Sequence, residues 1–220
     1  MTFTLAFGGL SGPHVENSMG AFSASLDAGL EGFTFSAQPT RDAVCVAMND
    51  IEMGRTTDGS GILRKMKYGE LPKLKNGEAI PKLLDALELP AKLICIELVG
   101  EPGWKNALAA VEASDALGRV CFASAEHSEA LQLWASCPKA RCGFIWSEEE
   151  ADGLSSDEVS ALPANLHLHV PLGSLLKRKE FWAPQAKRLV AWTAGDKENN
   201  ALLCFETLGW VIGAPDRLGN

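Results

Sequence analysis

Basic residues are scarce in this chain of 220 residues, relative to acidic ones. There are 20 Lys and Arg against 28 Asp and Glu, a formal charge of −8, and the one dense basic run is Lys177 to Lys179. A protein that follows a phosphate backbone needs a basic face, because much of its affinity comes from the release of counterions. We therefore expect no nucleic-acid partner.

Long apolar runs are also missing. No stretch approaches the roughly 18 apolar residues of a membrane helix, and residues 1–10 lack the positively charged start of a signal peptide. With 46% hydrophobic and 22% charged residues, the composition is typical of a globular protein that can bury a sizeable core. We expect a cytoplasmic protein without a membrane span.

The six cysteines follow neither a disulfide pattern nor a zinc pattern. Four of them lie inside apolar runs such as Val44-Cys45-Val46 and Ile94-Cys95-Ile96, which is typical of small core residues. Cys137 and Cys142 are the closest pair, but four residues separate them and no histidine stands nearby at the spacing of a zinc ligand. We expect buried free thiols and no metal site built on this pair.

Short β-rich runs alternate with longer stretches of helical spacing. Parallel strands that are covered on both faces lose the polar and apolar alternation, so this pattern indicates βα units on a parallel sheet. The predicted strands are 3–7, 32–37, 93–98, 120–123, 142–146, 166–170, 189–192 and 210–213. The predicted helices are 17–28, 81–87, 104–116, 128–136, 157–162, 174–185 and 197–208. Eight strands fit an α/β fold, a single (β/α)₈ barrel over residues 1–220.

One segment breaks the βα rhythm. After the second strand, residues 39–42 predict a turn, and the β run 43–48 follows too soon for a helical crossover. It must return antiparallel as the second arm of a hairpin. This geometry brings Asn49 and Asp50 to the C-terminal mouth of the barrel, where such barrels place their sites. We take residues 38–77 as an insertion whose polar loop 54–61 covers the mouth.

A series of short motifs runs through most of the chain in a set order. They are Glu16-Asn17-Ser18, Gly29 to Gly32, Asp50 to Gly61 with Arg55-Thr56-Thr57 inside it, Glu70-Leu71, Ile80 to Leu83, Ile96-Glu97-Leu98, Trp192-Thr193 and Pro215-Asp216. Together they resemble the glycerophosphodiester phosphodiesterase (GDPD) family, which hydrolyses deacylated phospholipid head groups inside a (β/α)₈ barrel. The resemblance implies a hairpin insertion after the second strand and a role in lipid metabolism.

The resemblance also implies two histidines that act as general acid and base. The first belongs to a His-Arg-Gly motif at the end of strand one, where this chain has Phe7-Gly8-Gly9. The second precedes an aspartate at the end of the returning hairpin arm, where Asn49 stands before Asp50. Neither phenylalanine nor asparagine can shuttle a proton, and Gly8 replaces the arginine that contacts the phosphate.

Of the three carboxylates that the family uses to hold a divalent cation, one is kept. The Glu-x-Asp of strand two reads Thr34-Phe35-Ser36, Glu97 is retained, and Val99 replaces a lysine. Mg²⁺ and Ca²⁺ require several oxygen ligands, so we expect no cofactor beyond such an ion held weakly at Glu97. Because each acid or base contributes about 10²–10⁴-fold, we expect negligible hydrolysis by the family's mechanism.

The residues expected to line a ligand-binding mouth are Gly8, Glu16, Thr34, Ser36, Arg55, Glu97, His169 and Trp192. Arg55 either contacts an anion or braces its loop against Asp50 or Glu52, and Trp192 either walls the ligand or packs. Glu16 is expected to fix the first loop. Because its former partners are neutral and the mouth is partly apolar, Glu97 should have a raised pKa.

Three further histidines offer alternatives. His14 follows strand one, and either lies in solvent or reaches toward the vacant histidine positions. His167 and His169 are two apart on one strand, so both should face the barrel interior. They are either neutral core residues or, with Glu97, an unexpected transition-metal site.

Three functions stay open on the sequence. The first is an inactive or repurposed GDPD-type protein that binds a small ligand resembling glycerol phosphate. The second is a phosphoric diester hydrolase with a rearranged site around Glu97, His169 and Arg55. The third is a structural or interaction subunit, and the sequence leaves the oligomeric state undetermined.

Overall fold

The computed structural model describes residues 3–12, 14–100, 103–192 and 210–213. Its strands are β1 (Phe3–Phe7), β2 (Gly32–Pro39), β3 (Cys45–Ala47), β4 (Glu52–Met53), β5 (Gly61–Ile62), β6 (Leu93–Leu98), β7 (Val120–Ser124), β8 (Arg141–Ile145), β9 (His167–Pro171), β10 (Leu189–Trp192) and β11 (Trp210–Gly213). Its α-helices are α1 (Met19–Asp27), α2 (Leu83–Leu87), α3 (Trp104–Ala113), α4 (His127–Ser136), α5 (Glu148–Gly153), α6 (Ser156–Ala161), α7 (Leu172–Lys177) and α8 (Lys179–Trp182). Among the described helices, none has the length and apolar composition that a bilayer crossing requires.

Eight of the strands form a closed parallel barrel. Hydrogen-bonded neighbours run in the order β1, β2, β6, β7, β8, β9, β10 and β11, and β11 pairs back with β1. The predicted (β/α)₈ barrel is confirmed, and the eight predicted strands match those observed to within about two residues at each end.

Alternate residues of each strand separate two apolar layers. The outward residues pack against the helices, as where the Phe33 ring of β2 stacks on Phe22 of α1 with centroids 4.4 Å apart. The inward residues form a smaller cluster inside the barrel, made of Leu5, Leu93, Cys95, Cys121, Ala123 and Val190. Because successive side chains of a strand point to opposite faces, the position of a residue in its strand decides which layer it joins.

The predicted hairpin after the second strand is confirmed. β3 pairs antiparallel with the end of β2, with Ala37 opposite Ala47 and Pro39 opposite Cys45. At the top of the hairpin, Nε2 of Gln38 lies 2.9, 3.0 and 3.1 Å from the carbonyl oxygens of Met48, Asn49 and Asp50. This one amide holds the chain that leaves β3 against the mouth.

β3 and the residues that follow it carry an apolar cluster of their own. Its buried members are Val46, Met48, Met53, Leu63, Leu74 and Ile80. The short β4–β5 pair and two 3₁₀ turns, Leu63–Lys65 and Tyr68–Glu70, build the rest of this segment. The insertion therefore folds around its own small core beside the mouth.

The prediction of one helix over 174–185 was wrong. The chain forms α7, breaks at Arg178, continues as α8, and ends in a 3₁₀ helix over Ala183–Arg188. The guanidinium of Arg178 donates to the carbonyls of Ala151, Asp152 and Leu154 at the end of α5, at 2.7–2.9 Å. These contacts favour the break, because the carbonyls at a helix end lack intrahelical partners. The acidic run 148–150 is the first turn of α5, and the predicted helix 197–208 lies outside the described residues.

Closure of the barrel predicts a severe effect of Gly32→Ala. A Cβ at Gly32 would lie 1.7 Å from the carbonyl oxygen of Leu93, a backbone atom of the β2–β6 ladder. We expect the free energy of unfolding to fall by about 1–3 kcal/mol or more in urea titrations. Gly118→Ala is the control, since a Cβ there meets nothing within 4 Å, and a change as large as that of Gly32→Ala would contradict the explanation.

The turn of the hairpin predicts a pH-dependent contribution from Asp42. Its Oδ1 accepts from the Thr40 hydroxyl at 2.7 Å and from the Tyr68 N–H at 2.9 Å, and these bonds hold the pKa of the carboxyl below its usual value of 3.8. A carboxyl with the lower pKa in the folded state stabilises it above the unfolded pKa and loses this effect as the pH falls. We expect Asp42→Ala to lower the urea midpoint at pH 7, with the difference from the parent shrinking toward pH 3. A difference of the same size at both pH values would show that the charge is not involved.

Candidate functional site

Glu97 stands at the centre of the barrel mouth, near the end of β6. The β2–β6 register places Ser36 beside it, and the Ser36 hydroxyl donates to Oε2 at 2.9 Å. Burial raises the pKa of Glu97, and the Ser36 hydrogen bond offsets part of that rise. The expected direction of the pKa shift is confirmed, so this carboxyl holds a proton more readily than an exposed glutamate.

A cavity of about 180 Å³ opens on one side of Glu97. Its lining residues are Phe7, Thr34, Cys95, Glu97, Ile145, His169 and Trp192. Phe7 is 48% exposed, so the position where the family carries its first histidine presents an aromatic ring to the mouth. The indole Nε1 of Trp192 is buried and has no hydrogen-bond partner within the described part of the chain.

A larger groove of about 650 Å³ lies on the other side of Glu97. Asn49 lines it together with Val99, Trp104 and Gln132. Phe7 and Asn49, the two residues at the family's histidine positions, therefore flank the same carboxylate in different cavities. The Glu97 side chain lines both the 180 Å³ cavity and the 650 Å³ groove.

Arg55 forms a bridge between two loops above the mouth. Its Nη2 donates to Oδ1 of Asp50 at 2.9 Å and to Oε1 of Glu16 at 2.5 Å, and its Nε also reaches Asp50 at 3.1 Å. The two carboxylates raise the pKa of the guanidinium, and they already balance its charge. Of the two interpretations, Arg55 therefore takes the bracing one, with Glu16 rather than Glu52 as the second partner. Glu16 fixes the first loop through this bond.

Two hydroxyls and one carboxylate lie close together beside the mouth cavity. The hydroxyl of Thr34 accepts from the Gly8 N–H at 3.4 Å, and that of Ser36 donates to Glu97. One carboxylate with a raised pKa and two neutral hydroxyls offer far less negative charge than three carboxylates. This donor set does not fit a Mg²⁺ or Ca²⁺ ion.

His167 and His169 both lie inside the barrel. His169 is 2% exposed. Burial is the main cause that lowers its pKa to about 3, and the nearby His167 adds a smaller effect. Burial lowers the pKa of His167 to about 4, with smaller effects from Arg141 and Arg188. Both rings are neutral at physiological pH, and only His169 lines the mouth cavity. His167 lines a separate cavity with Arg188.

His14 does not reach the vacant positions. Its Nδ1 lies 2.8 Å from where a Cβ of Gly20 would stand, so the ring packs against the first turn of α1. It lines neither of the two cavities beside Glu97. The contact of His14 with the first turn of α1 gives no support to a compensating role at the mouth.

Two residues near the site were missed in the sequence. Cys95 and Cys121 were interpreted as ordinary core residues, yet both point into the barrel, and their sulfurs lie close to a ring nitrogen of His169. The signal for Cys95 was present, because it stands two residues before Glu97 and therefore shares its face. Only the pairing of β6 with β7 brings Cys121 beside it.

Two known proteins illustrate the sequence similarity of this chain to other proteins. Over 162 residues, the chain is 27% identical to a glycerophosphodiester phosphodiesterase of Caldanaerobacter subterraneus, which covers 66% of this chain and 67% of that protein. Over 111 residues it is 34% identical to the uncharacterised Bacillus subtilis protein YqiK, covering 44% and 45% of the two chains. The chain thus spans less than half of the second relative.

Solved structures agree on the fold. An Oleispira antarctica phosphodiesterase, in complex with its product sn-glycerol-3-phosphate, matches with a TM-score of 0.82 at 20% identity, covering 99% of this chain and 95% of that one. A Thermotoga maritima glycerophosphodiester phosphodiesterase matches with a TM-score of 0.77 at 22% identity, over 99% and 96%. The family model of the glycerophosphoryl diester phosphodiesterases matches residues 9–192. The chain therefore belongs to the glycerophosphoryl diester phosphodiesterase family.

Proposed function

We propose that this chain is a catalytically inactive member of its family that binds a small polyol-bearing ligand at the barrel mouth. The observation that carries the proposal is the pair Phe7 and Asn49, which flank Glu97 where the family has its acid and base. Hydrolysis of a phosphodiester needs one group to activate water and another to protonate the leaving oxygen. Glu97 alone can supply only one of these.

Two observations argue against a rearranged hydrolytic site around Glu97, His169 and Arg55. With a pKa of about 3, His169 stays neutral and cannot donate a proton as an imidazolium near pH 7. Arg55 is engaged by Glu16 and Asp50, so its charge is not directed at a ligand in the cavity. The rearranged site therefore lacks both a second acid or base and a phosphate clamp.

The cavity favours a ligand over a purely structural role. Its walls combine the apolar surfaces of Phe7 and Ile145 with the Glu97 carboxyl and the Trp192 N–H, which has no partner among the residues that the structure describes. A short carbon chain with neighbouring hydroxyls can pack on the first pair and hydrogen-bond to the second. The Oleispira relative carries sn-glycerol-3-phosphate, whose glycerol part has this chemistry.

The charge of the cavity favours the glycerol part over the phosphate. None of the described lining residues is a lysine or arginine, and a phosphate dianion would approach the Glu97 carboxylate without compensation. We place the ligand among neutral or weakly charged glycerol derivatives, and the role in the handling of lipid head groups in the cytoplasm.

Ligand binding is tested by titrating glycerol and glycerol-3-phosphate into the full chain, followed by ligand-observed NMR. We expect glycerol to bind and Trp192→Phe to weaken it about fivefold, since that change removes one hydrogen-bond donor. Glu97→Gln should also weaken binding, while Glu52→Gln, on the exposed surface of the insertion, serves as the matched control. Equal affinities for all four proteins would contradict a ligand at this mouth.

Loss of hydrolysis is tested with glycerophosphocholine in the presence of Mg²⁺ or Ca²⁺. Because two acid–base groups are replaced, turnover should be at least about 10⁴-fold below that of an active relative assayed in parallel. The Caldanaerobacter enzyme is a suitable reference. Metal-dependent turnover within about tenfold of the reference would overturn the proposal.

A further inference from the structure

Three side chains with metal-binding atoms meet inside the barrel, below the mouth cavity. The sulfurs of Cys95 and Cys121 and a ring nitrogen of His169 all lie within 4.8 Å of one another, and all three residues are buried. They come from β6, β7 and β9, so the barrel itself assembles them. None belongs to the family's cation site described above.

The pairing of β6 with β7 places the two cysteine side chains next to each other. Cys95 pairs directly with Cys121 in the parallel register of β6 and β7, and both side chains belong to the interior cluster. Neighbouring positions on adjacent strands put side chains of one face next to each other. The two sulfurs lie within 4.8 Å of each other, and the Cys121 thiol donates to the carbonyl oxygen of Phe122 at 3.5 Å.

Gly143 leaves room for the imidazole ring of His169 because it has no side chain. This residue lies on β8, between the strands of Cys121 and His169, and it pairs with Ala123 on one side and His167 on the other. A Cβ at Gly143 would lie 2.6 Å from both Cδ2 and Nε2 of His169. The His169 ring therefore occupies the space that a side chain at position 143 would fill. It crosses β8 there and reaches toward the two thiols.

We propose that Cys95, Cys121 and His169 bind one Zn²⁺ ion, at a site that borders the cavity of the proposed ligand but does not rest on that ligand. Two cysteines and a histidine are ordinary zinc ligands, and their soft donors do not suit Mg²⁺ or Ca²⁺. Zn–S bonds of about 2.3 Å put two sulfurs about 3.8 Å apart, so the two sulfurs, which lie within 4.8 Å, need to approach each other by at most about 1 Å.

Charge selects a divalent ion over Cu⁺. The site is surrounded by the apolar side chains Leu5, Leu93 and Val190. Zn²⁺ with two thiolates and a neutral imidazole carries no net charge, whereas Cu⁺ would leave one negative charge in this apolar interior. On binding, each S–H bond breaks, both protons pass to solvent, and two Zn–S bonds form without any change of oxidation state.

The fourth coordination position faces the mouth. Cys95 and His169 both line the 180 Å³ cavity, which also contains the Glu97 carboxyl. Three protein ligands with a remaining position filled by water are typical of zinc sites that accept an outside ligand. The ion reaches the site through this cavity.

The test uses the full chain, purified in a non-thiol reductant and dialysed against Zn²⁺ or Co²⁺. We expect one Zn²⁺ per chain by mass spectrometry of the metal, and a thiolate-to-Co²⁺ absorption band in the near ultraviolet. Cys121→Ser and His169→Ala should each weaken Zn²⁺ binding at least about 100-fold, since each removes a direct ligand. Gly143→Ala should weaken it as well, although it removes no ligand atom.

Cys142→Ser is the matched control, because Cys142 lies on β8 but faces the outer helix layer. Its affinity for Zn²⁺ should equal that of the parent. Parent protein that retains no Zn²⁺, prefers Cu⁺, forms a Cys95–Cys121 disulfide under reducing conditions, or gives a Co²⁺ spectrum without the thiolate band would overturn the proposal. So would a loss in Cys142→Ser as large as in Cys121→Ser. The parent spectrum needs no variant, so the test stands even where a variant fails to fold.

Discussion

The hydrogen-bonded closure of the parallel barrel determines which side chains meet inside it. Each inward residue stands at a height set by its strand, and its neighbours are those that the register places at the same height. Ser36 meets Glu97, and Cys95 meets Cys121, for this reason alone. The chemistry of the interior is therefore a consequence of eight strand pairings rather than of any single loop.

The interior changes character with depth. At the rim, Glu97 has hydroxyl and aromatic neighbours, and the guanidinium of Arg55 is paired with Glu16 and Asp50. One level below, sulfur and imidazole atoms gather around the room left by Gly143. The rim therefore offers one carboxylate and two hydroxyls, whereas sulfur and nitrogen donors lie together beneath it, and these two donor sets suit different ions.

The fold was largely readable from the sequence, because parallel strands covered on both faces produce continuous apolar runs. The hairpin was readable too, since the run 43–48 came too early for a crossover. The site was readable only in part. The raised pKa of Glu97 followed from its strand position, but the bond from Arg55 to Glu16 joins residues 39 apart in the chain. Likewise, Cys121 joins Cys95 and His169 only through strand register, which depends on the whole barrel. The helix break at Arg178 was not predicted because it depends on hydrogen bonds from the Arg178 side chain to carbonyls of α5, which lie 24 to 27 residues earlier in the chain.

Hydrogen bonds and apolar packing both hold the insertion against the mouth. Gln38 holds its first residues, Arg55 ties it to the loop after β1, and its own apolar cluster around Met48 and Leu63 stabilises what lies between. The surface of this segment can thus vary in sequence while the rim beneath it keeps its shape. The packing of the insertion is thus separate from the packing of the side chains that face the barrel interior.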